Sequence, residues 1–536
     1  MCGISINLVS ERDILNNSLT HRGPDNYDIF VDNCVKMQFY RLKINDLSNA
    51  GNQPMQIGNC VLICNGEIFN HESLINMFSF QTQSKSDCEV IIHLYLHFKN
   101  IYNDRDKTIM DTVCNLLDGE FVFCLYDIEL QKIFYARDPY GVRPMFFNDK
   151  TYSAASELKA FDSKYHNSVH QFKPGHFAIV KYDKHTQLYR FTPPQLYTEI
   201  FIDEPDQQYI NDSPFTDESY NDILVNVKRL LTRAVTKRLM SERNVCALLS
   251  GGLDSSLVAA LVSKNLQYPL KTFSIGFKES PDLFYANKVA EHIKSEHTSI
   301  ELEPSDFLNA IETVIQTIES YDTTSVRASV GNYLVSKYIS DNTDCVVVFN
   351  GDYADEVCGG YKYVKNCTNE VEFQKDCINR VRDICYYDSL RSDRSISNHG
   401  LEARVPFADK LFVQYYMTIP PKYRMSNMQL EKKLIREAFA NDNLLPDDIL
   451  WRPKEAFSDG VSQATNSWGD IVKQFVDSQV SDEEFKSRNY MDFKLKETYF
   501  YHKIFSKYYK NDNIIPYLWM PRFCDDTIND PSARKL

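Results

Sequence analysis

Residues Val245 to Leu261 read VCALLSGGLDSSLVAAL, and this stretch decides the fold of the second half of the chain. A short apolar run of strand character meets a Ser-Gly-Gly turn, and a helical pattern of apolar and small residues follows. Loop N–H groups and the helix N-terminus converge at such a junction and form an anion site. The serines add hydroxyl donors, and Asp254 can reach a magnesium ion. The stretch is not a Walker A loop, because GxxxxGK[ST] and its lysine are absent. A generic Gly-rich turn would rarely combine Ser, Gly-Gly, Asp and Ser-Ser.

Around it, strand-like runs (VCALLS, KTFSIGF, CVVVFN) alternate with helical ones (NDILVNVKRLLTRAVTKRLM, SSLVAALVSKN, ANKVAEHIKSE). That alternation predicts a parallel sheet flanked by helices, an α/β domain over residues 218–536. Ligands of such sheets sit at the carboxyl ends of the strands. KTFSIGF brings Ile275 and Gly276 there, an apolar edge suited to adenine. CVVVFN runs into NGDYADE and brings Asn350, Gly351, Asp352, Asp355 and Glu356. Asp254 and Asp355 are then candidates to share magnesium. IESYDTTSVRAS adds Glu319 and Arg327, GLEARVPF adds Glu402 and Arg404, and WRPKEAFSDG adds Lys454. A lysine can stabilise charge on a phosphate in a transition state. From about residue 363 the pattern is mostly helical.

The first 185 residues have another rhythm. CGISINLV, NCVLICNG, GEFVFCLYD, KIFYARD and HFAIVKY are short runs separated by Gly, Pro, Asn and Asp, as antiparallel strands joined by turns require. Phe191 to Ser219 contain four prolines and many carboxylates without periodicity. The expected organisation is therefore an N-terminal domain over 2–189, a linker over 190–217 and the α/β domain over 218–536.

The whole chain has 536 residues, with 59 Lys and Arg against 73 Asp and Glu, a net charge of −14. This length suits two to four domains. The acidic balance argues against nucleic acid as partner. No apolar run reaches the ~18 residues of a membrane span, and MCGISINLVSERD lacks the basic region of a secretory signal. The 14 cysteines are scattered, without zinc spacing, as in a protein of the reducing cytoplasm.

Cys2 departs from that pattern. Removal of Met1 would leave a thiol beside its own α-amine, a proton acceptor near neutral pH and hence an activated nucleophile. With it come HRGPD (His21 to Asp25), FYRLKIND with Arg41, NGEIFN with Asn65, Gly66 and Glu67, and KSDCEV with Asp87 and Glu89. RDPYGVRPMFF (Arg137 to Phe147) and ASELKAF (Ala155 to Phe161) follow.

In this order the segments resemble the glutaminase domain of class II, N-terminal-nucleophile amidotransferases. The resemblance implies an αββα sandwich of antiparallel sheets, with Cys2 as nucleophile. It implies an oxyanion site at the Asn65 amide and the Gly66 N–H, with glutamine held by Arg41, Leu42, Lys43, Ile44, Asn45, Asn65, Gly66, Glu67 and Asp87. Arg41 can bind a carboxylate through its fork, and Glu67 and Asp87 can accept from an ammonium. His21 is read as a turn-fixing residue.

SGGLDSS in turn resembles the PP-loop of ATP pyrophosphatases. This places ATP at Leu249, Ser250, Gly251, Gly252, Asp254, Ser255, Ser256, Ile275, Asn350 and Gly351. With the glutaminase segments, YDTTSVRAS, DEVCGGY, EARVPF, KEAFSDG and a final DPSARKL, the order is similar to that of glutamine-hydrolysing asparagine synthetases. That family implies ATP and Mg2+, a β-aspartyl-AMP intermediate, ammonia channelled from Cys2, and a homodimer. Aspartate and the intermediate would meet Glu319, Arg327 and Asp352, with Asp352 and Lys454 catalytic and Asp254 and Asp355 on the metal. The family usually reads SGEGSDE where this chain has NGDYADE: Asn350 replaces Ser, Asp352 replaces Glu and Tyr353 replaces Gly. Tyr40 and Lys43 stand where Glu and Ser are usual. The alternatives are another glutamine-dependent PP-loop amidotransferase with a different carboxylate acceptor, or a non-enzymatic relic.

Overall fold

The computed structural model describes all residues except 9–14, 17, 104, 184, 199–204, 206–219, 426–429, 456–459, 463–465, 488–492, 525–529 and 532–536. Most of the expected linker, the AFSD of KEAFSDG and the terminal SARKL lie outside the described residues.

The first half holds β1 (Gly3–Leu8), β2 (Asn26–Val31), β3 (Val35–Arg41), β4 (Met55–Ile57), β5 (Cys60–Ile68), β6 (Gly119–Asp127), β7 (Lys132–Arg137), β8 (Phe146–Asn148), β9 (Ala154–Ala155), β10 (Val169–Gln171), β11 (His176–Asp183) and β12 (Leu188–Leu196). They form two six-stranded antiparallel sheets, ordered β10-β8-β9-β1-β3-β2 and β12-β11-β7-β6-β5-β4. Strand alternation sends Ile4, Ile6, Met37 and Phe39 of one sheet against Ile63, Val122, Cys124 and Tyr135 of the other. The opposite face of the second sheet buries Phe121, Phe123 and Phe134 under the helices Val90–Tyr102 and Asp106–Leu116. The outer face of the first sheet packs on the second half of the chain, because one buried cluster joins Tyr40, Phe146 and Ala155 to Ile396, Leu401 and Ala403. Residues 190–196, expected in the linker, continue β12, which pairs with β11.

The second half is built on five parallel strands, β13 (Asn244–Leu248), β14 (Lys271–Gly276), β15 (Glu296–Glu301), β16 (Cys345–Phe349) and β17 (Glu402–Arg404), in the order β15-β14-β13-β16-β17. The chain runs outward from β13 through β14 to β15, then returns to β13's other side as β16. The order reverses between β13 and β16, and an open α/β sheet binds its ligand in that crevice. Among the described residues no helix is long and apolar enough to cross a membrane.

Candidate active sites

β13 ends in Leu249, Ser250, Gly251 and Gly252, and the helix Leu253–Asn265 starts there with its N-terminal N–H groups free for an anion. Gly251 has φ +69°, and a Cβ on it would lie 2.4 Å from Tyr285 Cβ. The Ser250 and Ser255 hydroxyls are 3.0 Å apart. β16 delivers Asn350 and Gly351 against this loop so closely that a Cβ on Gly351 would lie 2.6 Å from Ser255 N.

Between the two loops lies a cavity of about 190 Å³. Leu249, Ser250, Gly252, Asp254, Ser255, Ile275, Asn350, Gly351, Asp352, Asp355 and Lys454 all line it. Asp254 and Asp355 face each other across Lys432, whose Nζ is 2.5 Å from an oxygen of each. Lys454 Nζ is 2.5 Å from Asp355 and 3.8 Å from Asp254. Burial alone would raise the Asp355 carboxyl, but Lys432 and Lys454 outweigh it and hold Asp355 ionised far below the usual range. Asp254 Oδ1 is buried without a hydrogen-bond partner among the described residues.

Asp352 pairs through Oδ1 with Arg391, and its Oδ2 is buried without a hydrogen-bond partner among the described residues. Burial raises its carboxyl above the ordinary range, although Arg391 pulls the other way. Asp388 and Glu356 complete this acidic corner, with Tyr361 donating to Glu356.

Glu319 and Arg327 do not line the cavity. Glu319 is wholly buried and accepts from Leu158 N, Lys159 N and Arg394, at 2.7–2.9 Å. It ties the two halves of the chain together. Arg327 is bidentate on Glu497 and reaches Asp530 at 3.1 Å. Their motif contributes otherwise: Asp322 caps the helix Thr323–Asn342 by accepting from Ser325 N at 2.8 Å, and Thr324 and Ala328 reach the cavity wall. Gly251 and Ser256 lie in the loop and first turn rather than on the wall. Lys432, Arg391 and Arg452 line the cavity but were not singled out by the sequence. In LEKKLIREAF a lysine pair reads as solvated charge, and no local pattern marks it otherwise.

The second site lies where β1 begins and β3 and β5 end. Leu42 N donates to Cys2 Sγ at 3.4 Å, and Cys2 Sγ donates to Leu42 O at 3.6 Å. Arg22 Nε fixes Cys2 O at 3.0 Å. His21 bonds Glu157 at 3.1 Å. Met1 is wholly buried, and its ammonium donates to Leu401 O at 2.9 Å. Burial pushes that amine down to about 5 and the Cys2 thiol up to about 11.

Asn65, on β5, is 1% exposed, yet neither polar atom of its side-chain amide has a hydrogen-bond partner among the described residues. A buried, unsatisfied amide costs stability and suits a site that a ligand completes. Gly66 must be glycine, since a Cβ would lie 2.2 Å from Glu120 O. Asn45 Nδ2 bridges Glu67 at 2.5 Å and Asp87 at 3.3 Å. Burial and the neighbouring Asp87 raise the Glu67 carboxyl well above the usual range. Arg41 donates to Ser48 O at 2.8 Å and to Asn52 Oδ1 at 2.6 Å, so it also shapes the loop that follows it. Lys43 N donates to Asp25 at 2.8 Å, and Ile44 O accepts from Glu242 N at 3.0 Å. Segment 41–45 therefore sits on the junction of the two halves. One apolar cluster there holds Leu42, Ile44, Val142, Ala354 and Val405.

The family profile described as glutamine amidotransferase domain matches residues 1–170. That described as asparagine synthase matches 226–376 and 365–514. Over its full length the chain is 39% identical to asparagine synthetase (glutamine-hydrolyzing) of Bos taurus, covering 98% of that protein. It is 38% identical to the Homo sapiens protein of the same name, again over 98% of its length. A solved structure of glutamine phosphoribosylpyrophosphate amidotransferase from B. subtilis, complexed with ADP and GMP, is 18% identical with a TM-score of 0.29, covering 52% of this chain and 67% of that one.

Proposed function

This chain belongs to the family of glutamine-hydrolysing asparagine synthetases, and on that premise we propose which residues carry each step of its chemistry. The reaction is the ATP-driven, glutamine-dependent amidation of aspartate, a C–N ligation.

At the first site Cys2 is the nucleophile. While Met1 is attached, the nitrogen of Cys2 is an amide and cannot take a proton. Removal of Met1 creates the base beside the thiol. The amine accepts the thiol proton, and sulfur adds to the side-chain amide carbon of glutamine. The oxyanion is taken by the Asn65 amide and Gly66 N. Collapse returns the proton to the leaving nitrogen and expels ammonia. Water then releases glutamate from the thioester. Glu67 and Asp87 hold the substrate's ammonium, and Arg41 its carboxylate. Ammonia crosses the junction past the apolar cluster of Leu42, Ile44, Val142, Ala354 and Val405.

At the second site the Ser250–Ser256 loop and Lys432 and Lys454 bind the triphosphate, and Ile275 packs on adenine. A β-carboxylate oxygen of aspartate displaces pyrophosphate from the α-phosphorus to give β-aspartyl-AMP. Ammonia attacks the β-carbonyl carbon, AMP leaves, and the free oxygen of Asp352 accepts a proton from the nitrogen. The raised carboxyl of Asp352 suits that task.

Magnesium fits the donor set. Asp254 Oδ1 is buried and has no hydrogen-bond partner among the described residues, and Asp254 and Asp355 are hard oxygen ligands. Among the described residues no group of three or more metal-binding side chains exists. Two carboxylates suit an ion that keeps waters and phosphate oxygens in its shell. Bound there, Mg2+ would neutralise phosphate charge.

The observation that carries this reading is the pair of acids and pair of lysines in one cavity at the β13/β16 switch point. The test supplies Mg-ATP, aspartate and amide-15N glutamine, and follows labelled asparagine, AMP and pyrophosphate. Equal amounts of the three products support it. Glutamate without asparagine would overturn the assignment of the second site.

A further inference from the structure

Arg404 stands between the two sites without lining the synthetase cavity. It is the last residue of β17, pairs with Phe349 of β16, and accepts at its carbonyl from Asn350 N at 3.2 Å. Its backbone therefore holds the loop that carries Asp352. Its guanidinium is 0% exposed and turns toward the other half of the chain. Nε donates to Glu402 Oε1 at 2.6 Å, and Nη1 donates to Arg238 O at 3.0 Å. Nη2 has no hydrogen-bond acceptor among the described residues and lies 3.4 Å from Glu67 Oε1.

Glu67 is in a demanding place. Asp87 and Cys88 face it from the segment after residue 85, Cys2 from the chain start, Glu402 and Arg404 from β17, and Arg143 from the first half. Asp87 and Glu402 oppose its ionisation. Arg404 is the cation within 4 Å of it among the described residues. A buried carboxylate that loses its cation takes up a proton instead, and a neutral acid is a poor acceptor for a substrate ammonium.

We infer that Arg404 is a positioning residue for glutamine hydrolysis: its guanidinium, 3.4 Å from Glu67 Oε1, favours the carboxylate form of Glu67 and orients it toward the α-ammonium of glutamine, from a strand end whose backbone also anchors the synthetase loop. The inference rests on the proposed assignment of Glu67 to that ammonium. It gives Arg404 a role in the amide-donor half of the reaction, although the residue lies on the sheet of the other half.

The test is steady-state kinetics of the full-length enzyme, with glutamine or with ammonium as nitrogen source. The variants are Arg404→Gln, Arg404→Lys, Glu67→Gln and the double variant Arg404→Gln/Glu67→Gln. Arg404→Gln should raise the glutamine KM about tenfold or more. It should move the acid limb of kcat/KM for glutamine to higher pH, because Glu67 then protonates sooner. Ammonium-dependent synthesis should stay within about twofold. Arg404→Lys should fall between wild type and Arg404→Gln. The double variant should be no worse than Glu67→Gln, since Arg404 acts through Glu67. Equal losses with both nitrogen sources would reduce Arg404 to scaffold and overturn the inference. An unmoved KM and acid limb, or full additivity in the double variant, would overturn it too. If Arg404→Gln does not fold, Arg404→Lys combined with Glu67→Gln decides the same question. An unchanged KM in Glu67→Gln would overturn the assignment of Glu67 and the inference with it. A raised KM there, beside unchanged Arg404 variants, would overturn the role of Arg404 alone.

Discussion

Lys432 lies with its Nζ 2.5 Å from Asp254 Oδ2 while standing 178 residues away in sequence. The same ammonium reaches Asp355 at 2.5 Å, and the side chain is 2% exposed. Two buried acids can share a cavity with a triphosphate only if cations offset their repulsion. Lys432→Met leaves Lys454 as the cation within 4 Å of both acids among the described residues. We expect kcat/KM for ATP in AMP release to fall about 10²-fold, with glutamine hydrolysis unchanged. Unaltered ATP kinetics would remove Lys432 from the phosphate site.

Cys2 and Asn65 separate nucleophile from oxyanion donor. Cys2→Ala should abolish glutamine hydrolysis and leave ammonium-dependent synthesis near wild type. Asn65→Ala should lower kcat for glutamine hydrolysis about 10²–10³-fold, with little change in KM. Because the Asn65 amide has no hydrogen-bond partner among the described residues, the variant should lose no stability, which thermal denaturation reads directly. A large fall in melting temperature would show that the amide serves the fold.

The acids of the glutamine site set a pH dependence. Burial, with Asp87 beside it, raises Glu67, and burial raises Asp87 as well. An acid with a raised folded-state pKa loses its charge at a higher pH than usual as the solution is acidified. Both must be ionised to hold an ammonium. Hence kcat/KM for glutamine should fall on acidification at a pH clearly above ~4, the ordinary carboxylate range. Ammonium-dependent synthesis, assayed at constant free ammonia, should not show that limb. A glutamine limb at the ordinary carboxylate value would contradict this.

Tyr353 has φ +75° at the start of the helix Ala354–Cys358, where the related motif usually has glycine. It is 2% exposed, and its hydroxyl meets Ser389. Left-handed backbone costs a non-glycine residue about 1–2 kcal/mol, whereas removing a buried aromatic ring costs about 3–5 kcal/mol. The second effect wins. Tyr353→Gly should therefore destabilise the protein by about 1–4 kcal/mol, measured by denaturant midpoint, despite restoring the usual residue. A gain in stability would show that the ring contributes little to the packing.

The parts legible in the sequence are those set by neighbours along the chain. SGGLDSS announces a strand, a tight turn and a helix start, because hydrophobic period and glycine placement act over a few residues. The same holds for the short strands of the first half and for Cys2 at the chain start. Residues 190–196 read as linker because their prolines mimic one, whereas the structure places them in edge strand β12, where proline is tolerated. Glu319 and Arg327 show the limit on the other side. Both sit in a motif that the site uses, yet each is engaged with a distant partner outside the cavity.

The sequence by itself determined two half-domains of different strand rhythm, the anion loop between β13 and its helix, and the order of motifs that marks the family. Tertiary structure alone decided that Lys432 stands between Asp254 and Asp355, that Arg391 meets Asp352, and that Arg404 reaches Glu67. The physical reason is range. Strand, turn and helix propensities are summed over adjacent residues, so they are written locally. A charged side chain reads the same in sequence whether water or a buried counter-ion surrounds it, and only the packing of remote segments settles which.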